Sequence, residues 1–178
     1  MHYRRWLEKE GLLVNGTAPS EAVCTRLAVP LEDPGTERIQ IKRLVVHHSA
    51  TETGSAGCFR VLHRGINHWR DIGYHFVIGN GTITPDGSVE KGRRIPFRGA
   101  HARGANHDSL GICLVGNFDR GHPTRLQLDA LGDLMDELIR RFAIESDSVT
   151  IHRLVKGSRT ACPGGNLNME TIKKLLAR

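Results

Sequence analysis

Aromatic residues are scarce: Phe, Trp and Tyr together make up 5% of 178 residues. No basic run is interleaved with them, so the stacking platform of a single-strand nucleic-acid binder is missing, and nucleic acid is not expected as a partner. No segment is long and apolar enough to cross a membrane, so membrane insertion is not expected either. Met1 to Leu13 mixes Arg4, Arg5, Glu8, Lys9 and Glu10 with a few apolar residues. It lacks the apolar centre of a secretory signal, so the chain is expected to be cytoplasmic on synthesis and to need another route out. Low-complexity tracts and internal repeats are absent. The four cysteines, Cys24, Cys58, Cys113 and Cys162, contain no C-x-x-C pair. That argues against a zinc ribbon or finger, and in a cytosolic chain these residues default to free thiols or metal ligands.

What is present points to a small basic enzyme or binding domain. Lys and Arg number 25 against 19 Asp and Glu, giving a net charge of +6. Such a surface favours polyanionic partners, without choosing among them. The length suits one domain. Residues 1–40 carry the breakers Gly16, Pro19, Pro30, Pro34 and Gly35 and read as an extension packed on or beside a domain spanning 41–178, with a short helix possible over Arg4 to Glu10.

Within the domain, Ile41 to His48 is the first strand, built on the apolar run Leu44-Val45-Val46 with its β-branched valines. A helix is expected over Cys58 to Trp69 and a second strand over Gly73 to Ile78. Thr82 to Lys91 reads as a hairpin turning at Pro85-Asp86-Gly87. Ser109 to Val115 is nearly continuously apolar, as a central buried strand requires. Leu131, Leu134, Met135, Leu138, Ile139 and Phe142 recur at helical spacing, and Thr124 with Gln127 forms a capping box, placing a helix over Arg125 to Phe142. Val149 to His152 is a short strand, and Asn168 caps a last helix ending near Leu176. Helices alternating with strands of a mixed sheet make an α/β fold.

Ten histidines invite a chemical reading. His2, His107 and His122 read as solvated, His63 and His68 as surface positions on a helix, and His75 as a satisfied core or cleft residue. His47, His48 and His152 differ because they end strands, where sites gather in open α/β sheets. Neighbouring strand residues face opposite ways, so only one of His47 and His48 shares a site with His152, and periodicity does not say which. Cys113 lies in an apolar run and reads as core. Cys162 sits on a Pro-Gly-Gly turn. Two strand-end histidines and a turn thiolate make a three-ligand set that leaves one position open, as catalytic zinc sites do.

Five segments in order, spanning Arg43 to Arg178, resemble the zinc amidases that include phage lysozyme-amidases and animal peptidoglycan recognition proteins. They are Val45-Val46-His47-His48-Ser49-Ala50-Thr51, Ile72-Gly73-Tyr74-His75-Phe76, Gly99 to Asn106 with Ser109 to Gly116, Ile151-His152-Arg153, and Ala161-Cys162-Pro163-Gly164. The resemblance implies a single amidase-like domain that cleaves the amide between N-acetylmuramic acid and L-alanine. It implies one zinc per chain, held by His47, His152 and Cys162. Tyr74 is then the oxyanion donor and Thr160 a second catalytic hydroxyl, with His101 and Asn106 lining the substrate cleft. The implied partner is peptidoglycan, met by a monomer at the bacterial cell wall after release, as for an endolysin. Phage relatives carry lysine at the position of Thr160, whereas catalytic animal relatives commonly have threonine there. The loop before Cys162 is long, which leaves the alignment of Lys156 and Arg159 open. The alternatives are a peptidoglycan-binding module without activity and a zinc-stabilised interaction protein.

Overall fold

A computed structural model describes residues 37–178; the expected helix near the N-terminus, Cys24 and His2 lie outside them. The strands are β1 (Arg43–His48), β2 (Phe76–Ile78), β3 (Val89–Lys91), β4 (Ser109–Leu114) and β5 (Val149–Ile151), and the helices are α1 (Ala56–Gly65), α2 (Arg125–Phe142) and α3 (Met169–Leu176). They form one mixed sheet in the order β3-β2-β4-β1-β5. Only β3 runs antiparallel, pairing with β2. β1 lies parallel between β4 and β5, and β2 lies parallel to β4.

Central parallel strands are covered on both faces, which is why β1 and β4 read as continuous apolar runs. On one face Leu44, Val46, Leu110, Ile112, Leu114 and Ile151 pack against Leu131, Met135 and Leu138 of α2 and Ile172 of α3. On the other, Val77 and Cys113 meet Ala56 and Phe59 of α1, and Val45 meets Ala102 and Ala105. α2 begins at the expected capping box, with the Thr124 side chain accepting from the Gln127 N–H. It ends where Ala143 turns left-handed with φ 50°. Asn168 caps α3 as expected.

Three sequence expectations need correction. α1 ends at Gly65, so His68 lies beyond it, exposed, while His63 is buried rather than on the surface. Ala56, Phe59 and His63 share one helical stripe facing the sheet. The hairpin is not closed within Thr82 to Lys91: its first strand is β2, and the Pro85 turn lies in the connecting loop, closed by Ser88 N–H to Pro85 O at 3.0 Å. Cys58 is disulfide-bonded rather than a free thiol, whereas Cys113 and Cys162 are free. Pairing also reaches further back than residue 41: Arg38 bridges Phe97, and the Arg98 N–H donates to Glu37 O. Among the described residues no helix is long and apolar enough to span a membrane.

Candidate metal centre

The register of the sheet builds the site. Val46 pairs with Ile151, so the next residues, His47 and His152, emerge side by side at the ends of adjacent parallel strands. Their ring centroids lie 4.6 Å apart. Alternation decides between the two neighbouring histidines. His47 faces His152, while His48 turns to the opposite face, where its Nδ1 accepts the Phe118 N–H at 3.1 Å. The third group arrives on the turn after His152. The Arg153 N–H donates to Cys162 O at 2.8 Å and the Arg153 guanidinium to Gly164 O at 3.1 Å. The segment that carries one histidine therefore also holds the cysteine turn. Thr160 lies beside it, exposed, its hydroxyl accepting the Cys162 N–H at 3.1 Å.

Donor atoms of His47, His152 and Cys162 all lie within 4.8 Å of one another, the one group of three or more potential metal-binding side chains among the described residues. His47 Nδ1 stands 3.7 Å from Cys162 Sγ. A tetrahedral zinc with ordinary Zn–N and Zn–S lengths separates such donors by about 3.6 Å. Two imidazoles and a thiol are donors that suit zinc rather than calcium or magnesium. The donor set therefore fits the ion. Burial holds His47 far below the usual histidine range, the neighbouring His101 and His152 rings oppose any further positive charge there, and burial also lowers His152. Both rings are thus neutral and keep a lone pair. Burial pushes the Cys162 thiol up to about 11, so a metal binding there displaces its proton.

Tyr74 lies at the entrance to β2, its ring centroid 5.3 Å from that of His47. It is half-buried, and burial, with the nearby Cys113 and Cys162 thiols adding to it, raises its pKa well above the usual phenol value. A network that sequence reasoning missed fixes the backbone just before it. Arg93 donates to Ile72 O, Arg98 O and Asp71 O at 2.7, 2.7 and 3.1 Å. The Asp71 carboxylate accepts from Arg60 and from the Ile72 N–H. His63 Nδ1 accepts the Gly73 N–H at 3.0 Å. Apart from the Arg93–Arg98 and Asp71–Ile72 contacts, these partners lie 10 to 22 residues apart in sequence and leave no local pattern. His75 is satisfied by the Gly111 N–H and Phe97 O, in keeping with a non-ligand role.

The two residues expected on the substrate cleft both make contacts within the chain. His101 is 8% exposed and lies behind His47, Nδ1 to Nε2 at 3.0 Å. Asn106 Oδ1 accepts the backbone N–H groups of His101 and Ala102 at 2.9 and 2.8 Å. Lys156 and Arg159 are both exposed on the loop before Cys162.

Comparison with known proteins shows the family to which this fold belongs. Residues 37–165 match the family model for N-acetylmuramoyl-L-alanine amidase. The endolysin of Escherichia phage T7 is 33% identical over 143 residues, 73% of this chain and 89% of its own. Peptidoglycan-recognition protein SC2 of Drosophila melanogaster is 35% identical over 131 residues, 69% of this chain and 68% of its own. Among solved structures, the N-acetylmuramoyl-L-alanine amidase LysC from Clostridium intestinale URNW superposes with a TM-score of 0.70 at 30% identity, covering 84% of this chain and 91% of that one. With the family model matched across most of the chain and an amidase fold around the His–His–Cys cluster, this chain belongs to the N-acetylmuramoyl-L-alanine amidase family, whose members hydrolyse peptidoglycan.

Proposed function

We propose that the chain works at the bacterial cell wall as an endolysin-type amidase, with one zinc ion held by His47 Nδ1, a ring nitrogen of His152 and Cys162 Sγ. The convergence of those donors within 4.8 Å carries the reading. When bound, zinc in a three-ligand site supplies an activated water and polarises a carbonyl.

The chain's own residues supply the rest. Tyr74 stands beside His47 and has one hydroxyl proton to direct at the oxygen that gains charge as the amide carbon becomes tetrahedral. Arg93, Asp71 and His63 hold the backbone before Tyr74, so the hydroxyl is aimed without reorganisation. Thr160 accepts from the Cys162 N–H, which orders the ligand turn and leaves its own hydroxyl proton free as a second donor. The +6 charge draws the protein to anionic walls. The phage relatives support the lytic reading, and the intact three-donor set favours hydrolysis over recognition alone.

The test is a defined muramoyl-peptide incubated with purified protein, with and without chelator. The expected result is chelator-sensitive release of a peptide with a free L-alanine amino group. Zinc-replete protein that binds the muropeptide and releases nothing would make the chain a recognition module.

A further inference from the structure

A line of polar groups runs inward from the donor cluster. His47 Nδ1 faces Cys162 Sγ, and its Nε2 lies 3.0 Å from His101 Nδ1. His101 Nε2 lies 3.4 Å from Ser109 Oγ, and Ser109 Oγ lies 2.6 Å from Ala105 O. A carbonyl only accepts, and this fixes the direction of every proton in the line. Ser109 donates to Ala105 O and so receives the His101 Nε2–H. The groups around the two rings are imidazoles, the Ser109 and Tyr74 hydroxyls, the Cys162 thiol and backbone; with the thiol protonated in the metal-free protein, none compensates a buried imidazolium, so both rings are neutral. Neutral His101 then presents a lone pair at Nδ1 and accepts the His47 Nε2–H. Neutral His47 is left with its lone pair on Nδ1, toward Cys162.

The surrounding sequence makes room for that ring. Ser109, Gly111 and Cys113 share the face of β4 that lies beside Val45 and His47 of β1. A Cβ built on Gly111 would fall inside the His101 ring, and one built on Gly99 would strike the same ring from the neighbouring loop. Neither glycine has a left-handed φ, so a missing side chain rather than an unusual backbone explains both. Asn106 completes the arrangement by holding the His101 N–H.

We infer that His101 is a positioning residue for the metal. With Ser109 it locks His47 in the tautomer whose Nδ1 is free to ligate, and Gly99 and Gly111 are the slot its ring occupies. This rests on the reading that His47 holds zinc, and it replaces a substrate-binding role for His101 with a supporting one.

Two readouts test it: zinc affinity by chelator competition, and the ¹⁵N chemical shifts of His47 in metal-free protein, which report its tautomer. Partners of this kind are worth about 10–100-fold in metal affinity. His101→Leu, which has no acceptor, is expected to lose that much and to leave His47 a mixture of tautomers. Gly111→Ala keeps every polar group yet displaces the ring, and is expected to lose affinity in the same direction. His101→Gln, whose amide oxygen accepts, is expected to recover most of the loss. Ser109→Ala removes one hydroxyl from a folded core and carries the same test with a smaller fall. Wild-type His47 bearing its proton on Nδ1, or unchanged affinity and tautomer in both His101→Leu and Ser109→Ala, would overturn the inference. A wild-type chain that binds no zinc would sink the metal reading alone, because the tautomer of metal-free His47 is decided separately.

Discussion

The two faces of the same two strands follow different rules. Leu44, Val46, Leu110, Ile112 and Leu114 point one way, into an apolar layer closed by α2 and α3. Val45, His47, Ser109, Gly111 and Cys113 point the other way. Both sets are buried and share one backbone ladder. The first face is specified by apolar area and volume, for which several side chains substitute with modest loss. The second is specified by group identity: a ring nitrogen in one tautomer, a hydroxyl with one direction to donate, and a glycine where a ring must lie. Stability is concentrated on the first face and chemistry on the second.

The sharpest way to break that division is to cut each face once. His152→Ala removes a donor from the site face, and turnover on a muramoyl-peptide is expected to fall to background together with zinc content. Its half-buried position keeps the cost to the fold small. Leu131→Ala opens a cavity on the other face and is expected to cost about 2–5 kcal/mol of stability in urea unfolding. Zinc affinity per folded molecule should not change. A Leu131→Ala protein that stays folded but loses zinc would show that the two faces are not separable.

Within the site face, Tyr74→Phe separates the donor from the ligands. The ring and its contact with His47 remain, so zinc occupancy and fold are expected to survive. Losing one oxyanion donor lowers turnover by about 10²–10³-fold. The contact strengthens as charge develops, so the fall belongs mainly to kcat, with KM little changed. Near-normal turnover in a zinc-loaded Tyr74→Phe protein would return Tyr74 to a packing role beside Phe59 and Cys113.

How much of this was legible in the sequence follows the same division. The apolar face announces itself locally. The helical spacing of Leu131, Met135 and Leu138 and the Thr124–Gln127 box gave α2 its observed bounds. The apolar run Leu44 to Val46, with its β-branched valines, gave β1. The three donors were readable as strand-end and turn residues, but the choice between His47 and His48 needed the family resemblance. In the fold it follows from β1 lying beside β5. The supporting groups were not readable. Ser109 stands in the sequence only as the start of an apolar strand, and Arg93 falls in none of its motifs. Arg93 reaches its partners across the antiparallel pairing of β2 with β3, and Ser109 reaches His101 and Ala105 in the loop just before β4, neither at a spacing that marks a helix or a strand. His63 was readable in principle, since it continues the Ala56–Phe59 stripe. Expecting the helix to run on to Trp69 hid that stripe.

His63 gives an effect confined to a window of pH, and one that reads the site face without touching the donors. Burial, with the Arg93 charge and against the pull of Asp71, lowers its pKa to about 4 from an ordinary value of 6.5. Its Nδ1 is occupied by the Gly73 N–H. Above pH 6.5 the imidazole is neutral in folded and unfolded chains, and pH has no leverage through it. As pH falls from 6.5 toward 4 the unfolded chain takes up a proton that the folded one refuses, so stability falls across that window. At 1.36 kcal/mol per pKa unit the full loss is about 3 kcal/mol, and below pH 4 the slope vanishes again. His63→Gln keeps an acceptor for Gly73 but does not titrate. It is expected to match the wild type near pH 7.5 within the cost of the altered packing, and to lose less stability between pH 6.5 and 4. Urea unfolding at pH 7.5, 5.5 and 4.5 reads the difference. Parallel stability-versus-pH curves for the two proteins would mean that His63 protonates without unfolding the chain, and that the Gly73–Tyr74 backbone is held by Arg93 and Asp71 alone.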